Sequence, residues 1–528
     1  MVIYMMTDIV YPDIFYELFA DILNSEKVRI SVEKENTERL CYCEKTYRLT
    51  DEKYILKISG SDITVTCSGE KSLFYALSDI AIRIEENMLA DGEFICSPSF
   101  AVRGYIEGFY GTPWGHEKRK SFMSLMAKNR MNTVYYAPKD DLYHREKWSE
   151  AYPEEELCRL KELVDLARSY YMSFYWCIAP GLSMKYSDEK DFEALVNKTR
   201  QLYSIGVRHF GLLLDDISEE LENAEDREKY GETVNAHIEL INRYSAFLTQ
   251  LDASVRLTVC PTLYHGKGNE YYIAKLGQHI PPLVSLFWTG RDICSRELAS
   301  LDAIRFVENT FHKPLYWDNY PVNDCAMFNE MHIGPIINRE KDLYRFSEGI
   351  IANCMEYAEC SKIPLITVSQ YLWDSENYEP ERVWKNAIAQ VVGKENAENF
   401  IVFAEHLRTS CLKDSNSGLM YEIFDKIEAS IRKGDLNTAF SCASGYLSRI
   451  KACCEYLKRD LPLCNELKAW SEKFFVMSEL INKIFALVVS RNDALMSEIS
   501  ALAEKFVSMP VRLSDDINIK EMLRELNL

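Results

Sequence analysis

No stretch of about eighteen apolar residues occurs in this 528-residue chain, which excludes a helix written to cross a bilayer. C-x-x-C and C-x-x-C-H are missing too, so the 16 cysteines spell neither a zinc ribbon nor a haem attachment site. Several cysteines (Cys67, Cys177, Cys260) sit inside apolar runs, where they read as small core hydrophobes in a reducing compartment. The phosphate-cradling P-loop, the dinucleotide G-x-G-x-x-G and the zinc motif H-E-x-x-H are all absent, so neither cofactor nor metal is expected. Basic residues are in deficit: 61 Lys and Arg against 81 Asp and Glu leave a net charge of −20. Nucleic acid and anionic membrane are therefore poor partners, because binding a polyanion needs clustered cations. The opening stretch "MVIYMMTDIVYPDIFYELFADIL" has no basic n-region and is broken by Asp8, Pro12 and Asp13, unlike a signal peptide. A soluble, cytoplasmic protein is the expectation.

What is present is ordinary globular material, 47% hydrophobic and 27% charged. At roughly 150 residues per domain, this length makes two or three domains. In the first hundred residues "VRISV", "YILKI" and "ITVTC" read as strands, the last two joined as a hairpin across Ser59, Gly60, Ser61 and Asp62. Leu73, Leu77, Ile80, Ala81 and Ile84 then share one helical face, giving a small α/β domain over residues 1–99. From 100 to 375 a short β-rich run, a polar loop and a helical stretch recur. The runs are "GYIEGFYG", "NTVYYAPKDD", "SFYWCIAPG", "HFGLLLDD", "VRLTVCPTLY", "LVSLFWTG", "PLYWDNY" and "GIIANC". Eight βα units match a (β/α)8 barrel; an open doubly wound sheet leaves so many polar strand ends without a reason. After Trp373 the β-rich runs stop, Pro380 leads into helical stretches, and residues 376–528 read as a helical bundle.

The run "HFGLLLDDISEE" drives apolar residues straight into two adjacent carboxylates, Asp215 and Asp216. As a fourth barrel strand it would place both acids at the catalytic mouth, where successive residues of an extended chain point different ways and can take different roles. Read without that context, the pair is a helix N-cap followed by a first-turn acid, with Ser218, Glu219 and Glu220 continuing the turn. Paired acids at a barrel mouth serve three purposes: holding Mg²⁺ in a lyase, cleaving a glycoside, or binding a ligand without chemistry. The other strand ends supply Gly108, Lys139, Asp140, Cys260, Tyr264, Trp288, Thr289, Trp317, Asn319, Asp324 and Asn353. Amides, aromatics and few extra acids suit a neutral polyol with an apolar ring face better than a metal phosphate. Two intact acids also argue against a silent sugar binder, which needs no proton donor.

"GYIEGFYGTPW", "MNTVYYAPKDDLYHREKW", "APGL", "LLLDDI", "CPTLY", "WTG", "WDNYPVND" and "ANC", in that order, resemble glycoside hydrolase family 84, the family of O-GlcNAcases and bacterial β-N-acetylglucosaminidases. The resemblance implies a retaining β-N-acetylglucosaminidase, with no cofactor, acting on a GlcNAc-bearing glycan or glycoprotein. The substrate's own 2-acetamido oxygen would be the nucleophile, through an oxazoline intermediate. It further implies that Asp215 orients the acetamido N–H and that Asp216 is the general acid and base, their repulsion helping to separate their pKa values. Asp324, Asn353 and Lys139 would meet sugar hydroxyls and Asn319 the acetamido and leaving-group side, while Gly108 would admit the ligand close to the backbone. Tyr264, Cys260, Thr289 and Trp317 would line the acetamido pocket. The sequence departs from the common family pattern at Ala179, Ser183 and Ser218, so the surroundings of the acids are expected to differ. Neither the natural substrate nor an oligomeric state is written in the chain.

Overall fold

The computed structural model describes residues 3–5, 13–23, 28–34, 40–42, 45–47, 51–490, 494–516 and 519; residues 1–2 and 6–12 of the opening stretch judged against a signal peptide lie outside them. None of the helices among the described residues is long and apolar enough to cross a membrane.

The N-terminal part is a five-stranded sheet in the order Ile3–Met5, Arg29–Lys34, Asp62–Cys67, Tyr54–Ser59, Gly92–Cys96. The expected hairpin is there: Tyr54–Ser59 runs antiparallel to Asp62–Cys67, turning at Gly60 with φ +57°. Alternation decides which face is buried, since Ile63, Val65 and Cys67 point into the core while Asp62 stays exposed. The helix Glu70–Glu85 covers that face with Leu73, Leu77 and Ile80.

Eight parallel strands then close into a barrel: β1 (Val102–Glu107), β2 (Thr133–Tyr136), β3 (Ser173–Ile178), β4 (His209–Leu213), β5 (Arg256–Cys260), β6 (Ser285–Trp288), β7 (Pro314–Asp318) and β8 (Gly349–Asn353). Pairing of Gly349 with Val102 through Asn353 with Ile106 seals β8 to β1, which rules out the open sheet. Each of the eight sequence runs contributes one strand. Their inward residues fill the barrel as one cluster, Ile106, Tyr135, Cys177, Leu213, Cys260, Phe287, Leu315, Trp317 and Ile351 among them. The tall rings pack by stacking and edges: Tyr135 lies flat on Tyr175 at 4.2 Å, and Phe287 meets Trp317 edge-on at 5.2 Å. Outward residues pack on the surrounding helices; Trp288, a strand-end residue considered for the site, is one of these and lies against Phe306 at 5.0 Å. After the buried helix Ala358–Trp373, Pro380 opens a series of helices running to Leu495–Ser508, its missing N–H harmless in a first turn.

Candidate active site

The two acids follow directly on β4. The backbone ahead of them is tied to β5 from both sides: Leu214 N donates to Cys260 O at 2.8 Å, and the Thr262 hydroxyl donates to Leu214 O at 2.7 Å. Asp216 then takes φ +54°, the left-handed region that Asp and Asn tolerate best among side-chain-bearing residues. This corrects the expectation of an extended chain with carboxylates aimed apart, because the reversal turns both toward one point. The N-cap alternative also fails, since among the described residues the first helix after the pair is Ala224–Tyr230 and its N-cap is Asn223.

That point is the ammonium of Lys139, at the end of β2. Its Nζ donates to Asp215 Oδ2 at 2.8 Å and to Asp216 Oδ2 at 3.3 Å. Lys139 was expected on the hydroxyl side of a sugar; here it is the counter-ion of both acids, with a side chain only 4% exposed. Burial works against its charge, but the two carboxylates outweigh burial and hold its pKa above the usual lysine value. The same geometry revises the expected repulsion between the acids, because a cation sits between them. Burial pushes the Asp216 carboxyl up, yet Lys139, the Tyr110 hydroxyl and Arg145 together hold it below the ordinary aspartate value. In the free site these donors favour the ionised form of Asp216.

Tyr110 and Arg145 were not singled out from the sequence. Tyr110, just beyond β1, donates its hydroxyl to Asp216 Oδ2 at 2.7 Å, and Arg145 donates to that hydroxyl oxygen at 3.2 Å. Tyr264 reaches the other oxygen, Asp216 Oδ1, at 3.5 Å. Asp215 is buried, and its Oδ1 has no hydrogen-bond partner among the described residues. A buried acceptor of that kind costs about 1–3 kcal/mol unless something donates to it, so it marks where a ligand N–H or O–H fits.

The opposite wall is built around Asn319. Its Oδ1 accepts from Trp317 Nε1 and from Asn353 Nδ2, both at 2.9 Å, while its Nδ2 donates to Ile293 O at 2.8 Å. Asn319 is thus a hub, and it leaves the neighbouring Asn353 Oδ1 as a second buried acceptor without a partner among the described residues. Gly108 makes room for this wall: a Cβ there would stand 2.7 Å from Trp317 Cζ2 and 3.2 Å from Asn353 Oδ1. What approaches the glycine is the tryptophan ring. Asp324 Oδ2 accepts from Tyr110 N at 2.7 Å, joining the β7 loop to the β1 loop. Burial raises the Asp324 carboxyl above its ordinary value despite that bond.

The remaining expected residues divide. Tyr264 faces the acids, and Cys260 and Trp317 cap the barrel interior just below them. The Thr289 hydroxyl is committed to loop carbonyls, donating to Asp292 O at 2.8 Å, so it braces the wall. Asp140 is exposed beside Lys139. Of the departures, Ser218 Oγ accepts from Glu220 N and Ser183 Oγ from Trp148 Nε1, and neither hydroxyl bonds an acid of the pair.

A family model described as beta-N-acetylglucosaminidase matches residues 103–405. The protein O-GlcNAcases of Rattus norvegicus and Mus musculus are each 32% identical over 257 residues, 47% of this chain and 27% of theirs, so the chain spans well under half the length of these curated relatives. Among solved structures, a mutant of the Thermobaculum terrenum O-GlcNAc hydrolase has a TM-score of 0.74 at 30% identity, covering 81% of this chain and 94% of that one. The structure of CpGH84B has a TM-score of 0.75 at 28% identity, covering 88% and 84%.

Proposed function

Because the chain belongs to the beta-N-acetylglucosaminidase family of glycoside hydrolases, we propose that it hydrolyses terminal β-linked GlcNAc, from glycans or from Ser and Thr of proteins, with retention and without an enzymic nucleophile. The observation that carries this reading is the pair of adjacent acids on one ammonium, with Asp215 Oδ1 buried and free to accept a hydrogen bond. An acetamido N–H donating to that oxygen turns the acetamido carbonyl oxygen toward C1. Attack of this oxygen on C1 breaks the bond to the leaving oxygen, which takes a proton from Asp216, and leaves an oxazolinium whose N–H is held by the anionic Asp215. Water then attacks C1 as Asp216 takes up its proton, and the oxazoline opens to GlcNAc. Two inversions at C1 give net retention.

Asp216 must gain a proton for the first step, and substrate itself helps to load it. Its side chain is 31% exposed in the free site. A neutral sugar ring covering it removes water from the carboxylate and raises its pKa. Asn353 Oδ1 supplies an acceptor for a ring hydroxyl, and Trp317 an apolar face for the acetamido methyl.

The test is release of fluorophore from 4-methylumbelliferyl N-acetyl-β-D-glucosaminide, beside its N-trifluoroacetyl analogue and with EDTA present. Turnover that survives EDTA and falls steeply on fluorination is the expected result, because fluorine weakens the acetamido nucleophile. Binding of GlcNAc with no turnover would instead make the protein a silent sugar binder.

A further inference from the structure

The general acid assigned above has two oxygens in unlike settings. Oδ2 of Asp216 already accepts from Tyr110 at 2.7 Å and from Lys139 at 3.3 Å, whereas Oδ1 has only the long 3.5 Å contact with Tyr264. A carboxylate oxygen that accepts two donors is the poorer place for a proton, one of them being a cation and the other a short O–H bond. Tyr110 cannot relieve it, because burial and the Asp216 carboxylate raise the phenol above its ordinary value and keep it a donor. Arg145 fixes that donor's direction. It gives a hydrogen bond to the Tyr110 oxygen at 3.2 Å and lies over the ring at 5.7 Å, while Lys139 lies over the same ring at 5.3 Å. The tyrosine's one lone-pair direction inside the site is filled, so its proton points at Asp216.

We propose that Tyr110 and Arg145 form a positioning pair that makes Oδ1 the proton-bearing oxygen of Asp216 and sets the pH at which that proton is lost. This rests on the hydrolase reading. Tyr110 acts on the acid directly; Arg145 acts through Tyr110 and through its own charge. The other groups facing Asp216 are Lys139 and Asp215 from β2 and β4, Tyr264 and Cys260 from β5, and Asp324 and Cys325 from the loop after β7. Among them only Lys139 is a cation, and it also serves Asp215, so on Oδ2 the Tyr110–Arg145 pair is the donor system that Asp216 does not share with Asp215. A residue chain with this property tunes the acid without altering the acetamido-binding partner.

The sign follows from which form the donors favour. Tyr110 and Arg145 both stabilise the ionised carboxylate, so removing either raises the pKa of Asp216 and keeps it protonated to higher pH. The basic limb of the kcat profile, which reports loss of the acid's proton in the enzyme–substrate complex, should move up. About half to one pH unit is expected for Tyr110→Phe, since one unit corresponds to the strength of one moderate hydrogen bond to a charged group. Arg145→Met should move it the same way by less, and Arg145→Lys, which keeps the charge, by less again.

The experiment records kcat against pH, at saturating substrate, for wild type and the three variants on a GlcNAc glycoside with a poor alkyl leaving group. The same profiles on an aryl glycoside that needs no protonation serve as the reference. An upward shift of the basic limb on the alkyl substrate, absent on the aryl one, carries the proposal. Variants that lose activity uniformly across pH, or limbs that stay in place, overturn it while leaving the hydrolase reading intact. A wild-type protein that cleaves neither glycoside overturns that reading instead.

Discussion

At the scale of single residues, the site turns on one backbone torsion. Asp216 at φ +54° brings its carboxylate back beside that of Asp215, and only then can one lysine hold both. Substitutions there must respect this, since alanine in a left-handed position adds strain of roughly 1 kcal/mol that has nothing to do with catalysis. Asp216→Asn is the cleaner probe, because Asn tolerates the same torsion and keeps the shape. It should raise the barrier by about 3–5 kcal/mol for a poor leaving group, the magnitude of general acid catalysis, and much less for an aryl group that leaves unassisted. Asp215→Asn should slow both substrates, because the acetamido group loses the anion that holds its N–H whatever the leaving group. Michaelis–Menten constants for the two variants on paired alkyl and aryl glycosides decide it. An identical leaving-group dependence would sink the division of roles.

At the scale of elements, β4 is placed against β3 by a missing side chain. Gly211 pairs with Cys177, and a Cβ at Gly211 would stand 2.5 Å from Cys177 Sγ. Both residues are fully buried in the barrel wall. Gly211→Ala should therefore cost about 1–3 kcal/mol of stability by overpacking, read as a lower urea midpoint. Adding Cys177→Ala removes the sulfur that clashes, so the double variant should recover part of the loss; simple additivity of the two changes would show that the clash is not the cause. The strand itself was legible in sequence for the reason that all eight were: parallel strands buried on both faces read as short, nearly continuous apolar runs such as "SFYWCI" and "HFGLLL". The site was legible only as a list. That Lys139 would sit between Asp215 and Asp216 depends on β2 lying beside β3 and β3 beside β4, and on a torsion no local pattern encodes. Tyr110 was in view within "GYIEGFYG", but its use is fixed by a carboxylate 106 positions later. Arg145, in the polar run "LYHREKW", was not singled out, because its use depends on Tyr110 lying under it.

At the scale of the molecule, the N-terminal sheet is joined to the bottom of the barrel, opposite the catalytic mouth, by buried arginines. Arg103, at the start of β1, is fully buried; it donates to Glu52 at 3.0 Å and to the carbonyls of Phe100 and Arg130, and lies over the rings of Tyr75 and Trp373. Arg130, just before β2, donates to Asp79 at 3.0 Å and to Gln370 at 2.6 Å, and it too covers Trp373. Trp373 ends the helix that follows β8 and stacks on Tyr54 at 6.2 Å, so one ring collects cations and aromatics from three parts of the chain. We propose units of residues 1–99, 100–375 and 376–528, and the joint just described argues that the first two unfold together. Asp79→Asn tests this. It leaves Arg130, whose side chain is 3% exposed, without its anion, a change worth about 3–5 kcal/mol when one partner of a buried pair is removed. Thermal unfolding followed by calorimetry should show a single transition at lower temperature, with kcat/KM of the folded protein unchanged, because these groups lie at the N-terminal ends of the strands, where (β/α)8 barrels keep stability and not chemistry. Two separate transitions, with the barrel's own melting temperature untouched, would mean that the sheet is an independent unit merely resting on the barrel.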